Sequence, residues 1–207
     1  VLKRLSPVVP GYVEQTNAAH LPTSPKKVFS TDPPYYDNVP YADLSDYFYV
    51  WLRRCLLPIH PELLGTVLVP KAEELIADPF RHGGKEGARV FFEEGMRQVF
   101  VRMREASDDR FPATIYYAFK QAEDDGGGED DEGEEIESSV ASTGWETFLQ
   151  GLVDTGWQIV GTVPMKTEGR TRMRSLGSNA LASSIVLVCR PRPKDAGVAS
   201  RRDFLAA

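Results

Sequence analysis

The spacing of hydrophobic residues predicts three helices in this chain. In residues 40–57 apolar side chains recur every three or four positions, which is typical of one face of an α-helix, and Pro58 ends the pattern. The same spacing predicts a second helix over residues 85–106. A third is predicted to begin at residues 143–146, whose Thr-Gly-Trp-Glu sequence has the spacing of a capping box, and to end just before Gly156.

Shorter apolar runs, rich in β-branched and aromatic residues, predict four strands. They lie at residues 28–31, 113–119, 157–165 and 183–189. The order strand, helix, strand, helix, strand, strand indicates an α/β chain. Residues 58–84, between the first and second helices, are interrupted by prolines and a glycine pair and are predicted to form a long loop. Loops of this size are often functional.

Length and composition favour a single domain. A chain of 207 residues with 42% hydrophobic content is long enough to bury one core. Cys55 and Cys189 lie far apart within apolar runs, which predicts two buried thiols in a reducing cytoplasm rather than a disulfide or a metal site. No secretory segment and no apolar run of about 18 residues is present, so the sequence predicts neither export nor a membrane span.

Proline content and charge divide the chain into parts. Residues 1–25 carry four prolines without periodicity and are predicted to be an irregular lead-in. Residues 26–192 are predicted to be the folded part and residues 193–207 a disordered tail. Inside the folded part, residues 121–139 are acidic and Gly-rich, which predicts a flexible, solvated insertion.

The net charge of −6 is unevenly distributed. Of the 30 acidic residues, ten lie between positions 123 and 137, where there is no base. The other 20 are set against 24 Lys and Arg, so the remainder of the chain carries a net charge of +4. A basic face is therefore available to nucleic acid, although charge alone is weak evidence for such a partner.

The most informative stretch is Asp32-Pro33-Pro34-Tyr35, at the end of the first predicted strand. Each proline fixes φ and removes a backbone N–H, so the turn is stiff and rich in free acceptors. We expect Asp32, the Pro33 carbonyl and the Tyr35 ring to converge at the carboxyl end of a strand, where open α/β sheets bind their ligands. The alternative is a plain solvent turn, because Asp-Pro and Pro-Pro are common turn dipeptides.

These groups suit a reaction at an exocyclic amine on a flat ring. Such a nitrogen is a poor nucleophile because its lone pair is delocalised into the ring. A carboxylate and a carbonyl that accept its hydrogens draw them out of plane and localise the lone pair, while an aromatic side chain stacks on the ring. Since methyl transfer needs an in-line approach, positioning supplies most of the catalysis.

Asp32-Pro33-Pro34-Tyr35 resembles the catalytic motif of amino-group methyltransferases that use S-adenosylmethionine. The longer stretch over residues 31–52 is similar to one branch, the large adenine-specific DNA methylases, some with a Zn-ribbon and often found near phage-defence genes. Residues 79–86 and 172–191 resemble the same branch. The similarity therefore runs in blocks from about residue 28 to residue 192.

The resemblance implies an α/β fold that is the C-terminal half of a class I (Rossmann-like) methyltransferase sheet, with a final antiparallel strand pair. The first half of that sheet supplies a Gly-rich loop and an acidic residue for the cofactor, and no such loop precedes Asp32. Residues 126–128 are no substitute, because their acidic surroundings would repel a carboxylate-bearing cofactor. We therefore expect residues 26–192 to be a catalytic half that works with S-adenosylmethionine and with an N-terminal cofactor-binding part of the same enzyme or a partner chain.

The resemblance also implies roles for residues around the motif. Asp32 and the Pro33 carbonyl accept amino hydrogens from an adenine flipped out of DNA, and Tyr35 stacks on that base. Asp32 is also the one candidate contact to the cofactor. In the following loop, residues predicted to meet the substrate are Tyr36, Asn38 and Tyr41.

Three further features have weaker signals. The aromatic stripe of the helix over residues 40–57 is predicted to be core rather than a binding surface. His82 is predicted either to contact phosphate or order a lid, or to be an exposed loop histidine without a role. The basic segment between the last two strands is predicted to be either a solvated loop or a phosphate-binding loop. The candidate phosphate contacts are Arg170, Arg172 and Arg174.

The sequence leaves the target base and the class of function open. The same motif serves cytosine N4 or an RNA base, since it does not fix the ring that carries the amine. An alternative from a different class of function is a non-catalytic DNA-binding or assembly module. No metal site is predicted, and the recognition sequence and oligomeric state cannot be inferred from these residues.

Overall fold

The computed structural model describes residues 11–37, 39–119, 134–165 and 183–197. In these ranges the chain forms a mixed α/β structure with one four-stranded sheet. The helices are α1 (Tyr41–Leu56), α2 (Pro61–Leu64), α3 (Lys85–Ala106) and α4 (Glu134–Asp154). The strands are β1 (Ser30–Thr31), β2 (Ala113–Phe119), β3 (Trp157–Met165) and β4 (Ser183–Pro191), and a short 3₁₀ turn covers Ala18–His20.

The sheet is part parallel and part antiparallel, in the order β1-β2-β4-β3. β1 pairs in parallel with β2, with Thr31 opposite Ile115. β4 lies antiparallel between β2 and β3 and pairs with both along its length. β1 is therefore an edge strand of the described sheet, and its carboxyl end leads directly into the Asp32 turn.

The hydrophobic core joins α3 and α4 to the sheet. Its largest fully buried side chains come from every one of these elements: Phe92, Phe100, Ile115, Phe148, Leu152, Trp157, Leu187 and Cys189. Trp157 satisfies its indole N–H by donating to the carbonyl of Phe100, at 3.0 Å. A buried indole needs such an acceptor, so this bond fixes the start of β3 against the middle of α3.

Most element boundaries agree with the sequence predictions. α3, β2 and β3 occupy the predicted residues, and β4 extends to Pro191. β1 is shorter than predicted, with only two residues in the ladder. Gly156 adopts the left-handed conformation expected after a helix, with φ of 83°.

The prediction for the start of α4 was wrong. The helix begins at Glu134, so the Thr143 capping box lies inside it, and the part of the predicted flexible insertion from Glu134 onward has a helical backbone. Glu is a good helix former, and an acidic run at the amino end is favoured by the helix dipole. Residues 121–133 of that insertion, like residues 1–10 and 198–207, lie outside the described part of the chain.

The prediction that the aromatic stripe of α1 is core was also wrong. Tyr47 and Phe48 are 71% and 64% exposed, and Leu44, Trp51 and Leu52 are at least half exposed. The helix is instead attached through another stripe, formed by Ala42, Asp46, Tyr49 and Arg53, which faces residues 66–74 through hydrogen bonds. Periodicity predicted the amphipathic helix correctly, but not which face meets the rest of the chain.

One of the two cysteines departs from its prediction. Cys189 is fully buried in β4, and burial raises the pKa of its thiol to about 11. Cys55, near the end of α1, is exposed. Cys55 lies on the side of α1 that was predicted to be buried and that faces outward in the structure.

Substitutions on the two sides of α1 are expected to differ sharply in their cost. Phe48→Ala removes an exposed ring and is expected to change the free energy of unfolding by less than about 0.5 kcal/mol. Tyr49→Ala removes a buried ring whose hydroxyl donates to the Thr66 carbonyl at 3.0 Å, and is expected to cost about 3 kcal/mol. Urea unfolding followed by circular dichroism measures both; equal losses would contradict the observed orientation of α1.

None of the described helices combines the length and the apolar character that crossing a bilayer requires. The described part of the predicted lead-in, residues 11–25, contains the 3₁₀ turn and no strand or α-helix. Residues 193–197 of the predicted tail contain neither helix nor strand.

Candidate active site

The strand β1 places the Asp32 turn at the carboxyl end of the parallel pair. Thr114 donates its backbone N–H to the carbonyl of Phe29, at 3.0 Å, so the chain is held to β2 up to the motif. Asp32 is exposed, and Pro33, Pro34 and Tyr35 are half-buried. The motif thus forms an accessible rim with one side anchored to the sheet.

Tyr35 is held at both ends of its side chain. Its hydroxyl donates to Oδ1 of Asp32. Its ring meets that of Tyr117 in an edge-to-face contact, with centroids 5.5 Å apart and an interplanar angle of 76°. Burial, and then the hydrogen bond and charge of Asp32, raise the pKa of Tyr35 well above its ordinary value. The phenol is therefore a neutral hydrogen-bond donor across the physiological range.

Two acceptors beside this ring are unused. Within the described residues, no hydrogen bond reaches Oδ2 of Asp32, and none reaches the carbonyl of Pro33. The two acceptors belong to adjacent residues at one turn, next to a half-buried aromatic ring. A primary amine on a flat ring has two hydrogens to place and one face to stack, so the rim matches that group.

Tyr36 has a backbone conformation that non-glycine residues rarely adopt. Its φ is 45°, in the left-handed region. Its carbonyl accepts from the N–H of Ala77 at 3.0 Å, and its ring packs edge-on against Phe92, with centroids 5.1 Å apart. Such outliers persist only where their surroundings hold them, and they concentrate at functional sites. The Tyr36 ring, which was predicted to contact substrate, is half-buried and packs against the core.

Gly144 of α4 makes room for the Tyr36 ring. A Cβ built on Gly144 would lie 3.1 Å from both Cβ and Cγ of Tyr36, which is closer than side chains normally approach. Since Phe92 and the Ala77 hydrogen bond hold Tyr36 in place, the ring has little freedom to retreat. Neither the conformation of Tyr36 nor the role of Gly144 was predicted from the sequence.

The Gly144 contact gives a stability prediction with a matched control on the same helix. Gly→Ala inside a helix normally gains about 1 kcal/mol. Gly151→Ala should show that gain, because its Cβ would lie at an ordinary 3.4 Å from the Phe100 ring. Gly144→Ala should be less stable than Gly151→Ala by about 1–2 kcal/mol because of the clash. Thermal unfolding compares the two variants, and equal gains would show that Tyr36 is free to move.

A second aromatic layer lies behind the motif. Tyr117 of β2 contacts Trp145 and Phe148 of α4, with centroids 5.3 and 4.3 Å away, in addition to Tyr35. Tyr117 is buried, which raises the pKa of its phenol. The sheet therefore presents Tyr35 from a rigid aromatic support. The sequence placed these residues on a strand and a helix but gave no sign that they meet under the motif.

Charged side chains tie α1 to the loop that follows it. Arg81 pairs with Asp43 and, at 2.7 Å, with Glu74. Lys71 pairs with Asp46 at 2.6 Å, and this bond holds the pKa of Asp46 below its usual range. These pairs hold α1 to the segment that follows it, and they were not predicted from the sequence.

Of the other residues predicted to contact substrate, the structure describes Tyr41 and His82. Tyr41, the first residue of α1, is 48% exposed. His82 stacks on Phe91, with ring centroids 3.8 Å apart, and its buried Nε2 has no hydrogen-bond partner among the described residues. The other predicted residues, Asn38, Arg170, Arg172 and Arg174, lie outside the described part of the chain.

The turn after β1 contains prolines where a cofactor-binding loop would offer glycines and backbone N–H groups. No such loop is assigned among the described residues, and the contact of Asp32 with a cofactor stays a prediction. Within the same ranges, no group of three or more His, Cys, Asp and Glu side chains is arranged to hold a metal ion.

Comparison with known proteins identifies no relative. No family model matches the sequence, and neither a curated protein nor a solved structure is similar enough to count as a match.

Proposed function

We propose that this chain is the acceptor half of an S-adenosylmethionine-dependent methyltransferase that modifies the N6 amine of adenine in DNA. The observation that carries the proposal is a pair of acceptors beside the Tyr35 ring, Asp32 Oδ2 and the Pro33 carbonyl, to which no described residue donates a hydrogen bond. The resemblance of Asp32-Pro33-Pro34-Tyr35 to the motif of adenine methylases supports it.

In the proposed mechanism, an adenine leaves the DNA stack and lies against the Tyr35 ring. Asp32 Oδ2 and the Pro33 carbonyl each accept one hydrogen of its amino group, so the nitrogen lone pair is no longer shared with the ring. The prolines fix the backbone of the turn and with it the Pro33 carbonyl, which makes that acceptor available without reorganisation. When bound, S-adenosylmethionine would supply the electrophilic methyl group; the new nitrogen–carbon bond would replace its sulfur–methyl bond, and S-adenosylhomocysteine would be the leaving group. Asp32 or solvent takes the proton that the amine loses.

The sheet supports a role as one half of a larger catalytic unit. It has a parallel pair followed by an antiparallel final pair, as expected for the second half of a class I methyltransferase sheet. β1, which carries the motif, lies at the edge of the described sheet and has one side without a neighbouring strand. We propose that a cofactor-binding part, in the same enzyme or in a partner chain, adds its strands at that edge and places the methyl group opposite the rim.

Mass spectrometry of the product tests the proposal and separates its alternatives. The natural full-length protein is incubated with S-adenosylmethionine carrying a trideuterated methyl group and with unmethylated DNA, or with RNA in a parallel sample. After digestion to nucleosides, we expect the label on adenine N6 from DNA. Label on cytosine N4 or on an RNA base would support the same chemistry on a different target and overturn the adenine assignment.

A non-catalytic DNA-binding or assembly module is the second candidate, favoured by the lack of an assignable cofactor loop in the described residues. The two functions differ in cofactor binding. Equilibrium dialysis with tritiated S-adenosylmethionine, on this chain alone and joined to its flanking sequence, distinguishes them: the enzyme binds cofactor in the joined form, and a DNA-binding module binds it in neither.

A further inference from the structure

The hydroxyl of Tyr35 has a role of its own in the rim. A ring that only stacks on a base needs no polar group, and phenylalanine would serve. In this chain the hydroxyl donates to Oδ1 of Asp32, three residues earlier, while the ring rests on Tyr117. The bond therefore links the stacking platform to the acceptor carboxylate.

The bond also decides which acceptors remain. A carboxylate has two oxygens, and an exposed one rotates freely between positions. With Oδ1 engaged by Tyr35, the carboxylate is fixed and Oδ2 is left for an incoming group. Together with the Pro33 carbonyl this leaves one oxygen for each hydrogen of a primary amine.

We infer that the Tyr35 hydroxyl is a positioning group that orients Asp32 toward the target amine. The inference deepens the proposed function and rests on it. Tyr35 thus acts on the reaction twice: its ring holds the base, and its hydroxyl, acting through Asp32, sets the direction from which the amino hydrogens are drawn. The raised pKa of the phenol keeps the proton on Tyr35, so the donor persists at every physiological pH.

A double-mutant cycle on methyl transfer tests the role. In the natural full-length protein, Tyr35→Phe keeps the ring and should lower kcat about 10-fold, with KM for DNA changed by less than about 2-fold. Tyr35→Leu, which also removes the ring, should raise KM, because stacking is lost.

The second arm of the cycle uses Asp32→Asn, which keeps one acceptor oxygen. A tyrosine hydroxyl pairs with either end of an amide, so in this background it no longer specifies which atom faces the amine. Tyr35→Phe should then change kcat by less than about 2-fold. A hydroxyl that merely stabilises the turn would cost the same factor in both backgrounds, and that result would overturn the inference.

Tyrosine NMR tests the hydrogen bond without any methyl transfer. The protein is labelled with ¹³Cζ-tyrosine, and the Tyr35 signal is identified as the one lost in Tyr35→Phe. In Asp32→Ala this signal should shift, and the pKa of Tyr35 should fall while staying above the ordinary value, because burial remains. A Tyr35 signal and titration unaffected by Asp32→Ala would overturn the inference.

The two experiments separate the inference from the proposed function. If no substrate is methylated but the Tyr35 signal depends on Asp32, the hydroxyl orients the carboxylate and the proposed reaction is wrong. If DNA is methylated but the cycle is additive and the signal independent of Asp32, the reaction stands and the positioning role falls.

Discussion

Replacing Asp32 with alanine is expected to lower methyl transfer to DNA about 1000-fold while leaving the fold intact. The carboxylate supplies one of the two acceptors of the amine, and the loss of a preorganised group at the reacting atoms typically costs a factor of 100 to 1000, or about 2.7–4 kcal/mol of barrier. Asp32 is exposed, and among the described residues only Tyr35 forms a hydrogen bond with its side chain, so the core is not disturbed. Incorporation of tritiated methyl groups into unmethylated DNA measures the change.

Asp109→Ala is the matched control for this experiment. Asp109 is also exposed, but it precedes β2 and therefore lies at the opposite end of the parallel pair from Asp32. Its removal should leave transfer unchanged within about 2-fold. Activity retained in Asp32→Ala, or lost equally in both variants, would contradict the assignment of the rim.

Replacing Phe92 with alanine is expected to have the largest effect on stability. Phe92 is fully buried on α3, where its ring packs edge-on against that of Tyr36. Truncation of a buried phenylalanine removes its burial energy and leaves a cavity, at a cost of about 3–5 kcal/mol. A domain has only about 5–15 kcal/mol of stability in total, so the variant should unfold at a much lower urea concentration.

The control for Phe92→Ala is Val90→Ala, on the same helix. Val90 is half exposed, so its truncation should cost well under 1 kcal/mol. Because Phe92 supports the strained turn at Tyr36, Phe92→Leu should show a smaller loss of stability and yet a measurable loss of methyl transfer. A Phe92→Leu variant with full activity would show that the turn holds its shape without this contact.

The sequence predicted the elements of the fold because local spacing determines them. Residues 85–106 have a helical period, and residues 113–119 are rich in β-branched and aromatic side chains. They form the predicted helix α3 and the predicted strand β2. The start of α4 was missed because the capping box at Thr143 is a local signal, whereas the preceding acidic residues continue the helix.

Features that depend on contacts between distant residues could not be predicted from the sequence. Periodicity showed that α1 is amphipathic, but its polar stripe is held by partners such as Glu74 and Lys71 in a segment with no regular period. The motif itself was recognisable, since Asp-Pro-Pro-Tyr fixes its own backbone through the prolines. The contacts that hold the motif could not be recognised in the sequence. The left-handed Tyr36 is held by Phe92, Ala77 and Gly144, which lie far along the chain.

The central claim is that Asp32 and the Pro33 carbonyl bind the two hydrogens of a target amine. NMR of the natural full-length protein, bound to S-adenosylhomocysteine and to a DNA oligonucleotide with ¹⁵N-labelled adenine amino groups, observes that contact directly. We predict that the amino proton signals of one adenine move downfield on binding, and that the shift is absent with Asp32→Ala. Unchanged adenine signals with the intact protein, or a shift that survives Asp32→Ala, would contradict the claim.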